Sequence, residues 1–163
     1  MGTLPQLTED DIRLLDEALS ELLKQTDATT ALIIDVGGFL ITHQGESRQF
    51  DLTTIAALAS GAYLANSTIA SLVQETNFSS IYQQGDKFSM FVLRVDDQCL
   101  LVVIFKATVG VGAVKYFSAP ASQRISHQLQ IANERDPGAG LDLSVLNMAD
   151  TTGIFKKKSA AQR

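Results

Sequence analysis

Tryptophan is absent from this 163-residue chain, and cysteine occurs once and histidine twice. A single cysteine, Cys99, cannot close an internal disulfide, so the core has to hold the fold. Cys99 lies in an apolar run and reads as a small core hydrophobe rather than a nucleophile. His43 and His127 stand near no cysteine or carboxylate at metal-ligand spacing, so no metal site is assigned. The phosphate-loop pattern G-x-x-x-x-G-K-[ST] is missing, and the chain is not expected to bind or hydrolyse GTP itself. Thr108-Val-Gly-Val-Gly112 lacks the third glycine and the lysine of a nucleotide loop. It reads as a tight connection from strand to helix. The paired carboxylates Asp10-Asp11 and Asp96-Asp97 suit a helix start and a hairpin turn. No catalytic, cofactor-binding or metal-binding residue emerges, and an enzyme is not expected.

Basic residues are also in short supply. The formal net charge is -5, and the only basic run is Lys156-Lys157-Lys158, read as a solvated tail. Nucleic acid, whose phosphates call for clustered Lys and Arg, is therefore not an expected partner. The opening MGTLPQLTEDD lacks the basic and apolar regions of a signal peptide. Gln6 stands where a myristoylation motif wants Ser or Thr. No run is read as long enough for a membrane span. The expected compartment is the cytoplasm, with no membrane partner. What is plentiful is apolar residues, 45 % of the chain, enough for one domain with a sizeable core.

Periodicity organises those residues. Ile12, Leu15, Leu19 and Leu22 recur at helical spacing between Thr8 and Lys24, with Thr8 as N-cap and Glu9, Asp10 and Asp11 at the positive end of the dipole. Thr30–Val36 and Phe39–His43 read as a hairpin turning at Gly37-Gly38. A long helix is expected from Leu52 to Glu75, capped by Asp51 or Ser47. Its core stripe is expected to be Ile55, Leu58, Ala62, Ala65, Ile69 and Leu72, with Ala57, Gly61, Leu64 and Thr68 on a different face. A glycine inside a helix costs about 1 kcal/mol relative to alanine, so Gly61 calls for an offsetting close approach.

Three strands follow as a meander. They are Phe78–Gln84, Phe88–Val95 and the almost wholly apolar Cys99–Phe105, joined by turns at Gly85-Asp86-Lys87 and Asp96-Asp97. In the first of them Phe78, Ser80 and Tyr82 share one side. The last helix spans Val109 to Arg135, and Pro120 either kinks it or marks a fresh start capped by Ser118. The order is helix, two strands, helix, three strands, helix. It implies an α/β sandwich: a five-stranded, mainly antiparallel sheet with helices on its faces. Residues 8–135 are expected to form the domain and 136–163 a flexible C-terminal tail.

The run Ala31-Leu-Ile-Ile-Asp-Val-Gly-Gly-Phe-Leu-Ile resembles the opening hairpin of roadblock / dynein-light-chain-seven domains. Phe50-Asp-Leu-Thr-Thr-Ile-Ala-Ala-Leu-Ala-Ser-Gly-Ala is similar to their central helix. Gln84-Gly-Asp-Lys87, Cys99–Phe105 and Gly110-Val-Gly-Ala-Val-Lys115 match the usual continuation. The likeness covers about residues 10 to 135, and within the family it is nearest to the bacterial MglB type.

That resemblance implies a homodimer acting on a small Ras-like GTPase of MglA type, in cell polarity and motility. It implies that the two central helices lie side by side and form the surface that meets the GTPase, at Ala57, Gly61, Leu64 and Thr68. The resemblance further implies activation without an arginine finger, by stabilising the GTPase's own switch regions. Some relatives use a C-terminal segment to promote nucleotide exchange, a role open to Leu146, Met148, Ile154 and Phe155. Self-pairing is expected along the edge strand, at Phe78, Ser80 and Tyr82. The alternative is a roadblock scaffold or adaptor that binds without changing the GTPase rate. A small-molecule sensor is a third reading, disfavoured by the few convergent polar groups.

Overall fold

The computed structural model describes residues 4–135. Eight elements follow in order: α1 (Glu9–Thr26), β1 (Thr30–Asp35), β2 (Leu40–Gly45), α2 (Leu52–Leu72), β3 (Ser80–Gln83), β4 (Phe88–Arg94), β5 (Cys99–Lys106) and α3 (Val111–Arg135). The order matches the expectation from the sequence, with shifts of a few residues at the ends. The strands form one sheet in the order β2-β1-β5-β4-β3, and every pairing is antiparallel.

The apolar β5 is the central strand, buried from Cys99 to Phe105. Alternation sends its residues to two separate cores. Leu101, Val103 and Phe105 join Ile33 and Phe91 beneath α1 and α3. Leu100, Val102 and Ile104 join Leu32, Ile34 and Val92 beneath α2. Helices thus cover both faces of the sheet, giving three layers. The β1–β2 turn uses Gly38 at φ 93°. A β-carbon added there would come within 2.9 Å of the Ala57 backbone, so this turn touches α2 and has no room for a side chain.

The first helix is capped as its sequence predicts. Thr8 Oγ1 accepts from the Asp11 N–H at 3.2 Å, and the Asp11 carboxylate accepts from the Thr8 N–H at 2.8 Å. This reciprocal pair satisfies two otherwise unpaired donors. Asp11 also reaches across to α3. Its carboxylate accepts from Gln128 at 2.7 Å and from both Arg135 guanidinium nitrogens at 2.8 and 3.0 Å. The carboxylate is buried, and the Arg135 guanidinium, followed by the bonds from Thr8 and Gln128, holds it well below the usual carboxylate range against the opposing effect of burial.

The α3 helix runs unbroken through Pro120, which removes the amide donor to the Tyr116 carbonyl without ending the helix. Ser118 does not cap a second helix. It is buried within α3, and among the described residues its hydroxyl is the one buried side-chain polar atom without a partner.

The orientation of α2 corrects the sequence expectation. Its core face is Leu52, Ala56, Ala59, Tyr63 and Ala70. Leu58, Ile69 and Leu72, expected inside, are 69, 47 and 78 % exposed. Ile55 is half-buried on the flank beside Phe88 and Met90, Ala62 is likewise half-buried, and Ala65 is exposed. Alanines at 56 and 59 let the helix backbone approach the sheet, and that close approach outweighs the larger transfer energy of the leucines. Ser60 fixes the seat by donating to the Val36 carbonyl at 2.5 Å. Asp51, rather than Ser47, is the cap, accepting from the Thr54 N–H at 3.1 Å.

Two outcomes follow. Replacing Ala56 with Leu is expected to lower unfolding stability by about 1–3 kcal/mol in urea titrations, because the seat has no spare volume. Replacing Asp11 with Ala is expected to cost on the order of 2 kcal/mol at neutral pH. The folded-state pKa of Asp11 is depressed, so its contribution is fully present above the unfolded value near 4 and is lost progressively as pH falls from there through the lower folded value. The stability gap between the wild type and the variant should therefore be full at pH 7 and narrower, though not closed, at pH 3.

Candidate functional site

The stretch from Leu52 to Leu72 contains no Asp, Glu, Lys, Arg or His, so α2 is uncharged on every side. A surface helix ordinarily sets a polar face against its apolar stripe. This one presents Ala57, Leu58, Gly61, Leu64, Ala65, Thr68, Ile69 and Leu72 outward. Leu64 is 53 % exposed, beside the exposed Leu58, Ile69 and Leu72. A contiguous apolar surface of this kind marks an interaction site.

The polar side chains of α2 add little hydrogen-bonding capacity outward. Asn66 donates to the Ala62 carbonyl at 2.9 Å, Ser67 to Tyr63 at 3.2 Å, Thr68 to Leu64 at 3.3 Å and Ser71 to Thr68 at 2.7 Å. Each turns back onto its own helix. Asn77, in the connection to β3, donates to the Tyr63 hydroxyl at 3.1 Å and shares the single Ser67 hydroxyl proton with the Tyr63 carbonyl, its Oδ1 lying 3.2 Å from Ser67, which ties down the C-terminal half of the helix.

The structure brings Ala57, Gly61, Leu64 and Thr68 together along this exposed face. Gly61 has nothing within 4 Å of a β-carbon added to it, so none of the described residues accounts for the glycine. The face is also wider than the sequence reading allowed. Leu58, Ile69 and Leu72 belong to it, and the signal that marks them is the unbroken absence of charge over the 21-residue helix.

Of the edge residues, Ser80 and Tyr82 lie on β3, an outer strand of the sheet. Phe78 is half-buried and precedes the strand. The Tyr82 ring stacks against Phe105, with centroids 6.2 Å apart and planes 11° apart, so one side of it already has a neighbour. Beside the start of α2, Phe50, Ile55, Phe88, Met90 and Ile104 line an open apolar cleft of about 310 Å³ with Gln83 and Gln84 at its rim.

By length and composition α2 is the one helix among the described residues long and apolar enough to cross a bilayer, a length the sequence reading did not credit. Its inner face packs on the sheet core. Among the described residues no group of His, Cys, Asp and Glu is arranged to hold a metal ion. Cys99 is fully buried, and burial, with Asp96 and Asp35 adding to it, pushes its thiol far above the ordinary range. It is not poised as a nucleophile.

A three-layer sandwich that offers one uncharged helix and an open sheet edge is a module built for contact with other proteins. The chain belongs to the Roadblock/LC7 domain family, whose model matches residues 14–105. It is similar to a solved structure described as MglB with a tetrameric arrangement, at 27 % identity and a TM-score of 0.76 over 81 % of this chain and 99 % of that one. It is similar to the gliding protein MglB of Thermus thermophilus, at 28 % identity and a TM-score of 0.74 over 80 % and 98 %. Myxococcus xanthus MglB matches at 25 % identity and a TM-score of 0.72 over 78 % and 96 %. No curated protein matches the sequence.

Replacing Gly61 with Ala is expected to stabilise the isolated protomer by about 1 kcal/mol, since the position is helical and open. Denaturant titration at high dilution measures this. A loss of stability there would mean that something already sits against the glycine.

Proposed function

We propose that this chain is a cytoplasmic, homodimeric regulator of a small Ras-like GTPase of MglA type, acting as a GTPase-activating protein without an active site of its own. The observation that carries the reading is the uncharged outward face of α2, at Ala57, Gly61, Leu64 and Thr68, in a domain similar to MglB structures. A helix without arginine has no cation to place on a transferring phosphoryl group. The hydrolytic chemistry therefore stays with the GTPase. The contact acts by favouring one arrangement of its switch regions, through differential affinity for the two states.

The second copy pairs along β3, through the backbone edge at Ser80 and Tyr82 with Phe78 alongside, and the two α2 helices then lie on the same side of the joined sheet. The exposed Leu58, Ile69 and Leu72 are available to the partner helix. The C-terminal residues Leu146, Met148, Ile154 and Phe155, to which the family resemblance opened an exchange role, lie outside the described residues. A scaffold or adaptor role is the second reading, favoured by the same lack of any charged group on α2 that would act on a nucleotide.

Single-turnover GTP hydrolysis by the cognate GTPase separates these readings. The proposal expects acceleration by the wild-type chain and at least a tenfold loss of affinity for Gly61→Arg and Leu64→Glu, each about 1.4 kcal/mol or more. Sedimentation should show both variants still dimeric. Binding without acceleration assigns the adaptor role. Neither binding nor acceleration removes the regulator reading.

A further inference from the structure

A second surface lies across the sheet from α2. Along α1 runs a groove of about 620 Å³, walled on its far side by Gln44 of the edge strand β2. Glu9, Asp16, Glu17 and Glu21 line it together with Arg13 and Lys24, and Ile12 supplies an apolar patch. Arg13 is paired with Asp10 and Glu17, and Glu21 with Arg124 from α3. Asp16 accepts from the Thr42 hydroxyl at 2.5 Å, a bond that leaves its charge in place. The groove therefore keeps a negative surplus concentrated towards Glu9 and Asp16.

The end of α3 meets the first turn of α1, the turn that also carries the groove residues Glu9 and Ile12. Arg135 is the last described residue, and its two bonds to Asp11 fix that point against the first turn of α1. Beyond it the chain has 28 more residues, and among them Ile154-Phe155-Lys156-Lys157-Lys158 contains the only basic run in the protein. Eighteen residues separate Arg135 from Ile154. Extended, they reach up to about 60 Å, against a length of about 27 Å for α1. A tether of this length keeps the segment at high effective concentration near the groove.

We propose that Ile154–Lys158 of the same chain docks in the groove between α1 and β2, its apolar pair over Ile12 and its lysines towards Glu9, Asp16 and Glu17. Three observations converge on this occupant: the place where the chain leaves α3, the length that remains, and the complementary charge and apolar character of groove and segment. The docked segment is then held on the opposite side of the sheet from α2, away from the helix face. The assignment stands on the α1 groove alone and does not rest on the proposed action on a GTPase.

Paramagnetic broadening in the full-length protein tests it. A spin label on Ser159→Cys reports the position of the segment, because Cys99 is buried and does not compete for the label. At low salt, amide signals from Glu9 to Lys24 and of Gln44 should broaden, while those from Leu58 to Leu72 stay sharp. The broadening should vanish at about 0.5 M salt, where exposed charges are screened. It should vanish too in the combined Lys156→Glu, Lys157→Glu, Lys158→Glu variant. An α1 that stays sharp at low salt, broadening centred on α2, or broadening that survives charge reversal would overturn the proposal. So would broadening seen only when the spin-labelled chain is mixed with an unlabelled isotopic copy, since that places the segment on a second molecule.

Discussion

Everything outside the α1–α3 layer depends on how closely α2 sits on the sheet. Ala56 and Ala59 bring its backbone down onto Leu32, Leu100 and Val102, and the Ser60 hydroxyl anchors it to the β1–β2 turn. Gly38 completes the fit, because a side chain there would collide with the Ala57 backbone. Between Leu52 and Tyr63 the inward positions are the small Ala56, Ala59 and Ser60, and Leu58, Leu64, Ile69 and Leu72 are left outward. The exposed apolar face is a direct result of how the helix is seated.

The two sides of the sheet are held by different means. Under α1 and α3 the core is large, and the helices are cross-linked at one end by a buried carboxylate that binds the Thr8 amide and hydroxyl, Gln128 and Arg135. The side beneath α2 has a single helix and a smaller core. This asymmetry suits division of labour: one layer gives the domain its stability, while the other keeps a helix available.

Much of the fold was legible in the sequence. The Thr8 cap, the Gly37-Gly38 turn and the unbroken apolar run from Cys99 are local signals, and local chemistry settles them. The orientation of α2 was not legible. On an uncharged helix hydrophobic periodicity has no polar face to contrast with, so bulk at Leu58, Ile69 and Leu72 looked like core while Ala56 and Ala59 looked incidental. Pro120 left two outcomes open, and the fresh start at Ser118 is not the one realised, since a solvent-facing proline costs one hydrogen bond without ending the element. Of the candidate surface, Ala57, Gly61, Leu64 and Thr68 were placed on one face by helical spacing and given a role by resemblance, and their joint exposure required the tertiary structure.

The backward-turned hydroxyls and amide of α2 have a thermodynamic meaning. Asn66, Ser67, Thr68 and Ser71 already have intrahelical partners, so a surface laid over them strips away few water-bonded groups. Association on this helix should release water chiefly from carbon. Its signature is a negative heat-capacity change and near indifference to ionic strength.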